Sequence, residues 1–506
     1  VSTDPDVVVI GAGPNGLVGA CVLARAGLSV LVLEAHPERP GGALASDQGT
    51  EPGFVHDVGA AFFPFAQASP AFKDLGLAEH GLRWTFAPID SAHPAPDGSI
   101  AVLARDLDRV EANFGSAEDG AQMRKIARWH AGIESSLIPA MLQTFPSVRP
   151  ALGLLPFAAL RLATIFLRSG GGLSKAWFKS EAARRVIPGL ALHTDVGPDD
   201  TFGAGIGYML AAMATSGGNG VPQGGAGAIT AALVRLLERH GGRVRLGARV
   251  DSIVVRDNRA RAVVLAGGEE IRVAKGILSD TSAPALLGRL VDQKQLPGRV
   301  VRKMQAFPSG WGTFKVDWAL DGPIPWATEL SREAAVVHAG DSLDDLRLFT
   351  AEVRGGALPS NPYLVIGQQS LSDPSRAPAG KHTVWAYSRV PNHAPGGDWS
   401  AIQARFADTI DARIEALAPG FRALIRARRV VSPAELERGN ANLIGGDLGG
   451  GSNAWHRQLV FRPVFPWFRY RMPVRGLYLG SSYAHPGAGV HGMCGYNAAR
   501  MLLQDL

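Results

Sequence analysis

Two stretches, one near each end of the chain, carry residues whose type and spacing can hold a long anionic ligand. Near the start stands Gly11-Ala12-Gly13-Pro14-Asn15-Gly16. Glycines at that spacing permit a tight turn, let backbone N–H groups approach a diphosphate, and let the next helix pack closely on its strand. Glu34 follows 18 residues after Gly16, where a carboxylate accepts both hydroxyls of a ribose and disfavours a 2′-phosphate. Near the end, Gly480-Ser481 leads into Tyr483-Ala-His485-Pro-Gly-Ala-Gly-Val490-His491-Gly-Met493-Cys494-Gly495. A helix opening from such a loop presents partial positive charge, which stabilises an anionic reduced ring. The two stretches predict one elongated ligand held at both ends, and FAD suits that better than NAD.

The elements that must position these residues are readable around them. Residues 7–10 are a short apolar run, as in a strand buried on both faces. Residues 17–27 read as a helix ending at Gly27, and 28–33 as a second apolar strand running up to Glu34. A glycine fingerprint by itself is weak in a chain with 62 glycines; between a strand and a helix it is specific. Pro40-Gly41-Gly42-Ala43 and the small residues of 53–61 add loops along which a cofactor can pass closely. Further on, 217–227 is a glycine-rich loop and 228–240 a helix. Residues 243–246, 248–256 and 260–265 read as a β-meander, 273–278 as another strand, and 312–320 and 382–389 as sheet strands; 401–418 reads as a helix.

Composition narrows the class. With 506 residues, 46% hydrophobic and 19% charged, the chain excludes disorder and has length for about three domains at ~150 residues each. Two cysteines, Cys21 and Cys494, build neither a disulfide scaffold nor a four-thiolate metal site, and no metal is expected. The chain opens Val-Ser-Thr-Asp-Pro-Asp, without the basic and apolar regions of a signal peptide, so the expected location is cytoplasmic. The net charge of +6 is matched by one segment, 149–185, where Arg149, Arg161, Arg168, Lys175, Lys179, Arg184 and Arg185 face only Glu181. No nucleic-acid module accompanies it. The apolar run 151–167 inside it, interrupted by Gly153, Pro156 and Arg161, has two readings. It is either a buried helix followed by a solvated basic helix, or a basic amphipathic segment lying peripherally at a membrane.

Four stretches together resemble a known family: 7–34, 217–284, Gly439-Asn-Ala-Asn-Leu-Ile-Gly-Gly-Asp447, and 462–503. They are similar to the phytoene-desaturase and carotenoid-isomerase branch of the flavin amine-oxidase-like superfamily, and most of all to the family of pyridine nucleotide-disulfide oxidoreductase domain-containing protein 2. The resemblance implies an α/β fold with a Rossmann-like, GR2-type FAD-binding domain and a discontinuous α+β substrate domain. The expected division is 1–75, 217–290 and 435–506 for FAD, with 76–216 and 291–434 for substrate. It also implies contacts: Gly11, Gly13, Pro14, Asn15 and Gly16 around the pyrophosphate, Glu34 with Ala35 at the adenosine ribose, and Val250 at the adenine. Gly480 and Ser481 would meet the pyrophosphate and ribityl chain, with Val490 and Met493 beside the isoalloxazine. Gly41, Gly42 and Ala43 would also line the cofactor, although relatives often carry arginine where Ala43 stands.

No hydrolytic triad or metal-protease motif is present. His485, His491 and Tyr483 flank the presumed flavin loop as proton acceptors or substrate orienters; alternatively the histidines bond the loop backbone. Lys315 is either a flavin-facing lysine or an exposed strand residue. Cys494 either packs the helix start or forms a flavin thioether, and Asp280 either approaches the cofactor or caps its turn. The expected activity is an FAD-dependent dehydrogenase or desaturase acting on a largely apolar small molecule, reoxidised by oxygen or a quinone-like acceptor. Amine-oxidase-like C–N oxidation is the second reading. A non-catalytic lipid carrier on the same scaffold is the third, against which the intact fingerprint and Glu34 argue. The sequence leaves the oligomeric state open.

Overall fold

Strands apolar throughout need cover on both faces, and Val7–Ile10 finds it at the centre of a five-stranded sheet. A computed structural model describes residues 4–506. The strand order is Leu477–Leu479, Gly276–Ser279, Val7–Ile10, Val30–Leu33, Arg243–Arg245, and every pair is parallel. All carboxyl ends therefore share one edge, where ligands bind in open parallel sheets. Gly11, Glu34, Asp280 and Gly480 each directly follow one of these strands.

The expected meander is corrected here. Arg243–Arg245 is the edge strand of the parallel sheet, next to Val30–Leu33. Only Val250–Arg256, Arg259–Leu265 and Glu270–Arg272 form an antiparallel sheet of their own. Alternating apolar residues announce a strand but do not say which neighbour it pairs with.

A second, seven-stranded sheet runs Ile425–Val431, Gly312–Leu320, His382–Val390, Leu364–Gly367, Ala334–Ala339, Ile89–Pro94, Ile100–Leu103. Its outer face is aromatic and aliphatic and is covered by the helix Trp399–Leu417: Phe314 meets Phe406 edge-on at 4.9 Å, and Trp318 Nε1 donates to Asp411 Oδ1 at 3.0 Å. Side chains alternate along a strand, so Thr313, Lys315 and Asp317 take the inner face. Directly opposite them on His382–Val390 lie Arg389, Tyr387 and Trp385.

The basic segment is not one amphipathic helix. Pro156 separates Val148–Leu152 from Phe157–Phe166. Arg185 leaves the surface altogether, donating to the carbonyls of His93, Ser99 and Asp341. Arg184 Nε donates to the Phe178 carbonyl, and Arg161 lies 4.0 Å over the Trp129 ring.

Candidate functional site

The two glycine-rich ends of the chain meet. The helix Pro14–Arg25 and the C-terminal helix Met493–Gln504 cross so closely that a Cβ at Gly495 would lie 1.8 Å from the Asn15 carbonyl oxygen. Their N-termini thus sit side by side at the carboxyl edge of the parallel sheet, concentrating partial positive charge there.

The opening turn needs its glycines. Gly11 has φ +94, and a Cβ at Gly16 would stand 2.1 Å from the Gly11 oxygen. The second glycine loop folds back onto the first: Gly41 N–H donates to the Ala12 carbonyl at 2.8 Å, and a Cβ at Gly42 would stand 3.5 Å from Gly13 Cα. Ala43 belongs to the short turn Gly42–Leu44 and accepts from Ala60 N–H at 3.0 Å. Glu34 is held in place by backbone: Ala12 N–H donates to Oε2 and His36 N–H to Oε1, each at 2.8 Å. Each oxygen keeps a further lone pair for a ribose hydroxyl. Ala35 follows, and Ala248 N–H donates to the Glu34 carbonyl at 2.8 Å, carrying the chain to Val250 beside it.

These residues fit a dinucleotide cofactor, and two orphaned polar atoms support the fit. Asn15 Oδ1 and His491 Nε2 are buried with no hydrogen-bond partner. His491 Nδ1 accepts from Met493 N–H at 3.1 Å, and burial lowers the ring's pKa to about 4. The ring is therefore neutral with its proton on Nε2, a buried donor whose neighbouring carbonyls of Gly487 and Ala488 make no well-aligned hydrogen bond to it. Buried polar groups are nearly always satisfied, so both atoms mark a place for a polar guest.

The other predicted catalytic groups bond to backbone. Tyr483 Oη donates to the Asn442 carbonyl at 2.8 Å. His485 Nε2 lies 3.2 Å from the Gln143 carbonyl, and burial lowers its pKa to about 4. Cys494 Sγ donates to the Ala484 and Gly487 carbonyls, and burial pushes the thiol up to about 12. Asn442, in the 439–447 block, ties the whole edge together. Its Oδ1 accepts from Ser282 N–H at 2.7 Å and its Nδ2 donates to the Asp280 carbonyl at 3.3 Å. Ser481 Oγ accepts from Tyr483 N–H at 3.3 Å, and Gly480 N–H donates to the Ser279 carbonyl at 2.8 Å. Val490, at φ +50, turns the chain just before His491.

Asp280 sits inside the fingerprint. Its Oδ2 accepts from Gly16 N–H at 2.8 Å and would be 2.5 Å from a Cβ at Gly13. Burial, opposed by the Gly16 bond and assisted by the nearby Glu34 charge, pushes its pKa up to about 8. A neutral acid lies where an anion is expected.

Across from this edge stands the inner face of the seven-stranded sheet. Segment 54–63 lines it, with Phe62 edge-on to Trp385 at 5.9 Å. Lys315 is buried, not exposed: its Nζ donates to Asp317 Oδ1 at 2.5 Å. Asp317 also accepts from Arg429 at 2.8 Å and lies 3.8 Å from His56 Nδ1. Beside them runs a string of neutral groups that sequence reasoning missed. Tyr387 Oη is 2.9 Å from His193 Nδ1, His193 Nε2 is 2.9 Å from His338 Nε2, and His338 stacks on His93 at 4.6 Å. Burial lowers His193 and His93 to about 3 and raises Tyr387 to about 12.

Known proteins share this architecture. The rat (Rattus norvegicus) pyridine nucleotide-disulfide oxidoreductase domain-containing protein 2 is 28% identical, covering 99% of this chain and 94% of its own length. A lycopene-forming phytoene desaturase of Pseudescherichia vulneris is 26% identical over 99% of each chain. A solved putrescine oxidase bound to putrescine superposes with a TM-score of 0.61 at 17% identity, covering 99% of this chain and 98% of that one, a likeness of fold. Residues 16–400 match the family model for flavin-containing amine oxidoreductases. With that match over most of its length, this chain belongs to the flavin-containing amine oxidoreductases.

Proposed function

We propose that the protein is an FAD-dependent dehydrogenase or desaturase that oxidises C–H bonds of an uncharged, largely apolar molecule held against the inner face of the seven-stranded sheet. Oxygen or a quinone-like acceptor would then reoxidise it. The observation that carries the choice of substrate is that four acids near this face, Asp317, Asp57, Asp195 and Asp447, are already engaged. Asp317 is matched by Lys315 and Arg429, and Asp57 by Arg376 at 3.0 Å. Asp195 accepts from Ser452 and Asn453, and Asp447 from the N–H groups of Gly310, Gly449 and Gly451. None of these four offers an ammonium substrate an unengaged carboxylate, whereas Phe62, Trp385 and Tyr387 offer apolar surface. The desaturase relative, named for a hydrocarbon, points the same way.

Bound FAD supplies the two-electron acceptor. The chain's part is to bind, orient and manage protons. The opening turn and the start of Pro14–Arg25 would take the diphosphate, Glu34 the ribose hydroxyls, Gly480 and Ser481 the pyrophosphate and ribityl chain, and Val490 and Met493 the ring. His491 Nε2 donates to a polar atom of the guest, while Tyr483 and His485 hold the loop in shape. Removing a hydride equivalent from one carbon and forming a double bond releases a proton from its neighbour. The Tyr387–His193–His338 string, linked by two contacts of 2.9 Å, can relay a proton by a change of histidine tautomer.

The absorption spectrum of the purified protein, followed by anaerobic bleaching against apolar alkenes and amines, tests this reading. The expected result is a flavin spectrum bleached by an apolar compound, with no hydrogen peroxide produced from amines. Bleaching by amines with peroxide release would replace it with C–N oxidation. A colourless protein that takes up no FAD would instead leave a lipid carrier.

A further inference from the structure

Large apolar side chains exposed to water are concentrated, not scattered. Ten of the twelve lie in two short segments, 148–167 and 455–465. Phe157 is 85% exposed, Leu160 68% and Phe465 56%. Soluble surfaces seldom gather apolar residues in this way without a partner. The two segments are neighbours: the Phe166 ring packs where a Cβ at Gly205 would stand, while Phe202, three residues before that glycine, stacks on Trp455 at 5.2 Å.

Charge supplies a second, independent observation. Residues 143–180 and 448–475 contain no Asp or Glu, while Arg149, Arg161, Arg168, Lys175 and Lys179 lie in the first of them. At the rim of the apolar shelf opens a cavity of about 420 Å³, between the turn that begins Val148–Leu152 and the C-terminal helix. Arg149, Arg469 and Arg500 line it together with the hydroxyls of Thr144 and Ser147, and among the described residues no carboxylate does. All three arginines are exposed. Guanidinium groups suit phosphate through paired N–H donors.

We propose that this face docks the protein on an anionic phospholipid bilayer, with a headgroup phosphate in the three-arginine cavity and the apolar shelf at the acyl boundary. The alternative of a second copy packing face to face would bring two uniformly cationic surfaces together. Val148–Leu152 and Phe157–Phe166 have five and ten residues, and among the described residues no helix is long and apolar enough to cross a membrane. The contact is therefore one of lying on the surface. It does not depend on the redox assignment above.

Co-sedimentation of the flavin-loaded full chain with vesicles tests the proposal. Vesicles of phosphatidylcholine mixed with phosphatidylglycerol should bind the protein at low salt and release it at high salt, and vesicles of phosphatidylcholine alone should leave it in solution. Arg469→Ala with Arg500→Ala should weaken binding about tenfold, and Phe157→Ser with Leu160→Ser about tenfold as well. Both pairs are exposed, so the flavin spectrum should be unchanged and reports that each variant is folded. The proposal is overturned by no binding to anionic vesicles at low salt, equal binding to neutral ones, undiminished binding by both double variants, or a stable dimer that Phe157→Ser with Leu160→Ser dissociates. Titration with inorganic phosphate separates the remaining source: saturable phosphate binding without any vesicle binding also overturns it.

Discussion

Asp280 and Asp317 are both buried aspartates, one at the cofactor edge and one on the inner face of the seven-stranded sheet, and they carry opposite charge states. Burial pushes both carboxyls towards the neutral acid. At Asp280 little resists: one N–H from Gly16 opposes, and the negative Glu34 adds to the push. At Asp317 Lys315, His56 and Arg429 outweigh burial and hold the pKa below the usual carboxylate range. Neighbours, not depth, decide. The cofactor edge thereby keeps an uncharged acid beside a place for a diphosphate, while the sheet face holds Asp317 as an ion between Lys315 and Arg429.

The largest expected effect concerns how the cofactor edge is assembled. Gly495→Ala would drive a Cβ into the Asn15 carbonyl oxygen, and neither backbone can yield without parting the two helices. The substitution should cost upwards of about 4 kcal/mol and strip flavin from the purified protein. Gly132→Ala is the control: it lies inside Ala117–Leu142 with nothing within 4 Å of the new Cβ, and should stabilise by about 0.5–1 kcal/mol. Urea unfolding with flavin quantitation reads both. If Gly495→Ala retains full flavin, the two helix starts do not form one site.

Asp317→Asn comes next. It leaves Lys315 without its counter-charge on a buried face and Arg429 with Asp47 alone, and loss of one partner from such a pair costs about 3 kcal/mol. Lys315→Met with Asp317→Leu should recover most of that loss, because the unpaired charge goes as well. Equal unfolding midpoints for the single and double variants would show that Asp317 is not held as an ion.

How much of this was readable in the sequence follows from how far apart the partners lie. The opening βαβ unit was legible because strand, turn, helix and Glu34 are consecutive, and the closing loop for the same reason. The charge state of Asp280 was not, since the Gly16 N–H it accepts lies 264 residues away. Lys315 looked like an ordinary strand lysine, and its burial depends on Arg429 and His56 arriving from distant segments. The Tyr387–His193–His338 string had no local pattern at all, because its members come from two strands and the end of a helix. Arg185 counted as a surface cation until the carbonyls of His93, Ser99 and Asp341 closed around it. The apolar run 151–167 was visible, but only the fold revealed that 455–465 adjoins it.

Flavin affinity gives the gentlest readout of the cofactor edge, through pH. In the unfolded chain Asp280 titrates near 3.8, and in the folded protein burial pushes it up to about 8. Between those values the folded state holds a proton that the unfolded state has released, so this residue's contribution to stability falls as pH rises through that window and levels off above about 8. Flavin affinity adds a second consequence, since an ionised Asp280 would face the diphosphate. Wild-type affinity should weaken as pH climbs past about 8, by at most about tenfold per pH unit. Asp280→Asn keeps an acceptor for Gly16 N–H but cannot ionise, so its affinity should stay flat over the same range. Fluorescence titration of the apoprotein with FAD at several pH values distinguishes the two. Parallel curves for wild type and variant would mean that Asp280 stays charged, and the contrast with Asp317 would then collapse.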